Sequence, residues 1–351
     1  MKLWEMIPDT VKTISVIGMA KNAGKTVALN RLLIESQETA DRLGLTSIGR
    51  DGELEDVVTG TEKPGIEVMP GMMVATTDGC IARSDARMEI METTEERTPM
   101  GKVVILRVRQ KGHVEIAGPD SNKGIQHVCL RMLALGADKV LVDGALDRKS
   151  SASPAVTEAT ILSTGAVVDR DLERVVKETA HQVVLLELPQ WEKSPMAERT
   201  DITVDGWLPE GSGAAIIRKN GTMEILGMAT ALNSGREIGR LMKNGDAGLL
   251  IRGSLTEKTV KDLMSVTDTL RETPLIVEDA TRIFIGEREW RIFRKKGMRV
   301  NVFKKNRLLF VTANPWSPGG WRFDETLFME ALNREITSVP VVNVMGKGET
   351  M

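Results

Sequence analysis

Thr13-Ile-Ser-Val-Ile-Gly-Met-Ala-Lys-Asn-Ala-Gly-Lys-Thr-Val27 is the stretch on which the reading of this chain turns. Thr13 to Ile17 is a short run rich in β-branched residues, as expected of a parallel strand buried on both faces. From Gly24-Lys25-Thr26 onward, Val27, Leu29, Leu32, Leu33 and Ile34 fall among polar residues at helical spacing. Between the two lies a turn of small and flexible residues, Gly18 to Gly24. A strand, a glycine-bearing turn and a helix opening on Gly-Lys-Thr form a physical recipe for a phosphate cradle. Successive backbone N–H groups and the positive end of the helix then face the anion. In that arrangement Lys25 reaches the β- and γ-phosphates and the Thr26 hydroxyl sits on Mg²⁺. The candidate contacts are Lys21, Asn22, Ala23, Gly24, Lys25, Thr26 and Val27.

The spacing departs from G-x-x-x-x-G-K-[ST] by one position. Its first glycine belongs at Met19, whereas the glycine here is Gly18. Lys21 is either a further phosphate contact or a solvated loop residue. An ordinary strand–turn–helix that happens to contain Gly-Lys-Thr is the bland alternative to a nucleotide site.

Two more strand ends bear on the same chemistry. Leu45 to Glu53 reads as a strand ending in a polar turn, and carboxylates at the carboxyl end of a parallel strand lie on the ligand side of such a sheet. Asp51 or Glu53 is therefore a candidate to orient water or to bind Mg²⁺ through water, the alternative being an Asp51-Gly52 turn. Lys139-Val-Leu-Val-Asp143 is an apolar run ending in Asp. That pattern suits a metal-site carboxylate beside Thr26, or a strand closing on an Asp-Gly turn. Asp147, Arg148 and Lys149 open a loop that either closes on phosphates or is simply solvated.

The chain of 351 residues has room for two domains with separate cores. The expected fold is α/β: a doubly wound, mostly parallel nucleotide-binding sheet over residues 1–200, then a smaller α/β domain over 201–351. Pro189 to Asp201 is the candidate linker. Ile81 to Glu96 and Asp169 to His181 read as helices, Val183 to Leu188 as a buried strand. In the second half, Lys219-Asn-Gly-Thr222 reads as a hairpin turn. Gly253-Ser254 follows a strand and by itself is a weak anion signal. Trp316 and Trp321 bracket Ser317-Pro-Gly-Gly320, a loop that reads as a contact surface or as a packed cap on the second domain.

Composition narrows the classes. A formal net charge of −2 gives no bias toward nucleic acid or anionic lipid. Aromatics at 3%, with no tyrosine, argue against a base-stacking nucleic-acid surface. Two cysteines, Cys80 and Cys129, are too few for a disulfide framework and suit a reducing cytoplasm. Neither a signal-peptide pattern nor an apolar run of membrane-spanning length is visible. His113, His127 and His181 have no neighbours at zinc-ligand spacing. Asn122-Lys123-Gly124 lacks the Asp of the guanine-reading N-K-x-D, so ATP is favoured over GTP only by default.

Ser15 to Val27, Ser47 to Glu53 and Val140 to Arg148 together resemble the P-loop subunit of a lysine 5,6-aminomutase reactivase. The segment Asn314-Pro-Trp-Ser-Pro318 is compatible with that family. The loop alone is similar to a wider group that includes the MobB type of molybdopterin-cofactor protein and dethiobiotin synthetase. The closer resemblance implies a chaperone-like, ATP-consuming role in lysine degradation. Damaged cobalamin would be released from a coenzyme-B12 aminomutase, together with a second ATPase subunit of MutS-like type. It carries over only to Lys21, Gly24, Lys25, Thr26, Asp51 and Asp143. No D-x-H-x-x-G cobalamin motif occurs in the sequence. An ATP-dependent small-molecule ligase or kinase, and a non-hydrolysing scaffold, are the competing expectations.

Overall fold

The structure, a computed structural model, describes residues 2–39, 41–51, 66–144, 153–192, 208 and 211–345, with only the backbone of residues 50 and 51. Glu53 and the loop Asp147, Arg148, Lys149 lie outside these residues, as does most of the expected linker. The chain is α/β. It divides into two compact units, one of residues 1–180 with 307–351 and one of residues 181–306.

The first unit opens with β1 (Thr13–Gly18), α1 (Lys25–Glu35), β2 (Leu43–Ser47) and β3 (Arg50–Asp51). Next come β4 (Ile66–Val68), β5 (Met73–Thr77), α2 (Asp78–Ile81), β6 (Arg87–Thr98) and β7 (Gly101–Gln110). Then follow β8 (Gly112–Val114), β9 (Ile116–Ala117), α3 (Asn122–Ala134), β10 (Lys139–Asp143), β11 (Ala159–Gly165) and α4 (Leu172–Leu186), whose last turns belong to the second unit.

Alternation along β1 and β10 explains the layering. Ile14, Val16 and Leu141 pack with Leu29, Leu32 and Leu33 of α1 on one face. Val140 and Val142 pack with Ile125, Val128 and Met132 of α3 on the other. Successive strand residues point to opposite faces, so an apolar strand interior buries both. Ser15, on the α3 face, bonds Thr160 Oγ1 at 3.0 Å and so buries no unpaired hydroxyl.

In the second unit β12 (Ala214–Ile217) and β13 (Met223–Ile225) form a hairpin, followed by α5 (Gly235–Leu241), β14 (Gly248–Ile251) and β15 (Leu255–Thr256). Then come α6 (Glu257–Met264), β16 (Leu275–Val277), β17 (Ile283–Phe284), α7 (Glu287–Lys295) and β18 (Val300–Val302). Its sheet runs β13-β12-β14-β16-β18, parallel from β14 to β18. One face is covered by Val260 and Leu263 of α6 and Trp290 and Phe293 of α7. Gly221, at φ +84°, makes the expected turn between β12 and β13.

The chain then returns to the first unit with β19 (Leu308–Asn314), α8 (Glu325–Glu335) and β20 (Val341–Asn343). The nine-stranded sheet there has the order β20-β19-β11-β1-β10-β2-β5-β7-β6. Its strands are parallel from β20 to β5, and β7 and β6 are antiparallel at one edge.

Three sequence expectations differ from this structure. The two-part division at residue 200 becomes an insertion, because β19 pairs with β11 and buries Phe310 beside Ile161. The helix expected over 81–96 is mostly the edge strand β6. Pairing with β7 outweighs its propensity, and its charges are held by Arg109 on Glu89, Arg131 on Glu92 and His127 near Glu96. The strand expected over 183–188 is instead the end of α4, which extends to Leu186 with Val183, Leu185 and Leu186 buried.

Candidate functional site

The loop after β1 sits where three parallel strands end. Met19 N donates to Ser163 O of β11 at 2.8 Å, and Gly144 N donates to Val16 O at 3.0 Å. Its base is thus stitched to both neighbours of β1. Asn22 has φ +63° and Gly24 φ +93°, so the chain turns left-handed twice within three residues before the helix starts. The Ala23 amide between them is taken up inside the loop, donating to Ala20 O at 3.2 Å. Gly24 is also where the loop meets β19: a Cβ built on it would fall 2.8 Å from Asn314 Cβ. Both the positive φ and the close approach require glycine there.

Gly24 is the N-cap of α1 and offers no side chain to the first amides of the helix, and no acidic residue occupies the first turn. The early N–H groups of a helix have no intrahelical acceptor, and the macrodipole adds partial positive charge at that end. The start of α1 therefore suits an anion.

Lys25 opens α1. Its Nζ lies 2.9 Å from Asp143 Oδ1 at the end of β10 and also donates to Gly144 O. The Asp143 side chain is buried and that of Lys25 largely so. The pairing follows from register, since β1 and β10 are neighbours with Val16 opposite Asp143. The Asp143 carbonyl accepts from Ser47 Oγ at 3.2 Å and from Ile48 N at 3.1 Å, which ties the end of β2 to the same point.

The predicted residues therefore divide. Lys25 and Asp143 come together. Thr26 and Val27 lie half-buried in the first turn of α1, Ala23 is buried, and Lys21 and Asn22 are exposed on the loop. Asp51 lies in β3 opposite Ile116 of β9, with its carboxylate outside the described residues. Among the described residues, no three His, Cys, Asp or Glu side chains gather to hold a metal ion. None of the helices described is long and apolar enough to cross a membrane.

The sequence did not mark Asn314 or Gly165 as neighbours of the loop. Asn314 presses on Gly24, and a Cβ on Gly165 would fall 2.5 Å from Asn314 O and 3.4 Å from Ala23 O. Gly165 is thus small because β11, β19 and the loop converge there. A glycine at a strand end is the only local signal, and it does not say which segments approach.

No protein-family model matches this chain, and comparisons with curated proteins and with solved structures returned no match.

Proposed function

We propose that the loop from Gly18 to Thr26 binds the phosphates of ATP, and that the chain is an ATP-consuming P-loop protein that reactivates or assembles a partner enzyme. The observation that carries this reading is the placement of the Lys25 ammonium and the Asp143 carboxylate 2.9 Å apart at the mouth of an uncapped helix. A cation to meet phosphate, a carboxylate to meet its counter-ion and open amides to cradle the oxygens are what phosphoryl chemistry asks of a protein.

The donor set fits Mg²⁺. The Thr26 hydroxyl and the Asp143 carboxylate are hard oxygen donors on adjacent elements, and Mg²⁺ takes few protein ligands while keeping several waters. Held there, Mg²⁺ would supply charge neutralisation to the phosphates. The protein's own contribution is to position. Lys25 exchanges its ion pair with Asp143 for the phosphate oxygens, and the loop amides fix the tail. Lys21, exposed on the loop, and Asp51, past the end of β2, complete the proposed set as a further phosphate contact and a water-orienting group.

The resemblance stated above gives the partner as a coenzyme-B12 aminomutase such as lysine 5,6-aminomutase, acting with a second MutS-like ATPase subunit in the cytoplasm. A small-molecule ligase or kinase of dethiobiotin-synthetase type is the second reading, favoured by the loop sequence alone. ATP turnover separates them. A reactivation factor hydrolyses ATP slowly alone and several-fold faster with inactivated aminomutase, whereas a ligase consumes ATP only with its small substrate. No turnover under either condition would sink both.

A further inference from the structure

The hairpin that follows β19 belongs to the same unit as the loop around Lys25, and its root is in contact with that loop. Asn314 ends β19, and it is the side chain that a Cβ on Gly24 would meet at 2.8 Å. Trp316 is two residues further on, so its Cα lies at most about 7 Å from that of Asn314.

The hairpin is well braced. Trp316 N donates to Asn314 Oδ1 at 3.0 Å, Trp316 bridges Arg322, and Ser317 N donates to Trp321 O at 2.9 Å. Trp321 packs edge-on against Phe323 at 5.2 Å, and Phe323 against the buried Phe328 of α8 at 5.1 Å. Trp321 thus faces packing partners, but Trp316 is 46% exposed. The Arg322 guanidinium lies 4.7 Å from its ring centroid, over one face. One face of the ring is thus partnered by a cation while about half of the residue stays open to solvent. The ring is held, flat and wet.

We infer that Trp316, steadied by Arg322, stacks on the base of the nucleotide whose phosphates lie at Lys25. This rests on the proposed phosphate cradle and adds a nucleobase subsite to it. A large indole face close to an anion site, fixed before the ligand arrives, costs little ordering on binding. Stacking is tolerant of base identity because every base has a π-face. The subsite therefore accepts adenine and guanine nucleotides alike, and selects nucleotides over bare polyphosphate.

The test is to titrate the full chain, with Mg²⁺ present, using ATP, GTP and inorganic tripolyphosphate. Wild type is compared with Trp316→Ala, Trp316→Phe and Lys25→Ala. Trp316→Ala should weaken ATP and GTP about 10- to 100-fold and leave tripolyphosphate unchanged, with Trp316→Phe close to wild type. Lys25→Ala should weaken all three ligands. If Trp316→Ala holds ATP as wild type does while Lys25→Ala does not, the base subsite is wrong and the cradle stands. Equal loss of ATP and tripolyphosphate in Trp316→Ala would show that the hairpin only props the loop, which also overturns the subsite. Wild type that binds none of the three ligands would remove the cradle, and the subsite with it.

Discussion

Helices α1 and α6 each start just beyond a glycine-bearing turn at the carboxyl end of a parallel strand, and they complete the turn in different ways. After β1, Gly24 caps α1 without a side chain, and the first turn carries Lys25 and no acid. After β14, the turn through Gly253 (φ +84°) leads by β15 into α6. There the Thr256 side chain accepts from Thr259 N, and Glu257 occupies the first turn. Arg252, the nearby cation, donates to Leu208 O. The second turn puts its own hydroxyl on the helix start, and Glu257 accepts from Gly286 N, whereas the first leaves the early amides of α1 without a side-chain cap. A glycine at a strand end therefore says little about anion binding. Whether the helix caps itself says more.

The largest expected effect on that contrast comes from Lys25→Ala. It should weaken Mg·ATP by about 100-fold or more, by analogy with removing one preorganised charge-stabilising donor. It also leaves the buried Asp143 without its counter-ion, at a cost of about 3–5 kcal/mol in denaturant unfolding. The double variant Lys25→Ala/Asp143→Ala should recover much of that stability but none of the binding. Recovery of binding would break the assignment of Lys25.

Gly24→Ala comes next. A left-handed residue with a side chain costs about 1–2 kcal/mol, and crowding Asn314 adds about 1–3 kcal/mol. Both stability and ATP affinity should fall. Gly253→Ala shares the positive φ, but a Cβ there meets nothing within 4 Å. It should cost only the backbone part, about 1–2 kcal/mol, with ATP binding unchanged. Equal effects of the two substitutions on ATP titrations would erase the distinction between the turns.

Smaller still is Thr256→Ala, which removes a cap and should cost about 1 kcal/mol with no change in nucleotide affinity. Helix α3, capped like α6 by a side chain (Ser121 Oγ accepting from Gly124 N), offers a null control. Burial pushes the Cys129 thiol within it up to about 12. A maleimide at pH 8 should leave Cys129 unmodified with or without ATP, read by intact-mass spectrometry. Labelling on nucleotide addition would mean that the α3 face opens, and that binding is not confined to the α1 side.

Much of the first unit was legible because local pattern and tertiary role agree. The β-branched run before Gly18, the apolar run ending in Asp143 and the periodicity of α3 each specify one element, and each is present. The sequence placed Asp143 beside Thr26, and its ion pair with Lys25 went unread, since strand adjacency is a long-range property. Long-range pairing also hid the rest. β6 carries helix-compatible charges yet is held by β7. In α7 only Trp290 and Phe293 are buried among Glu, Arg and Lys, too short a stripe to stand out. The return of β19 and β20 to the first sheet has no signature in composition. It moved the Trp316 hairpin from an expected cap on the second domain to the neighbourhood of Gly24.

The most direct test of the central claim is calorimetric titration of Mg·ATP into wild type, Lys25→Ala and Thr256→Ala. Saturable binding in wild type and Thr256→Ala, lost in Lys25→Ala while the Thr256→Ala protein remains unaffected, is the predicted pattern. Wild type that takes up no ATP, or a Lys25→Ala chain that binds it undiminished, would contradict it.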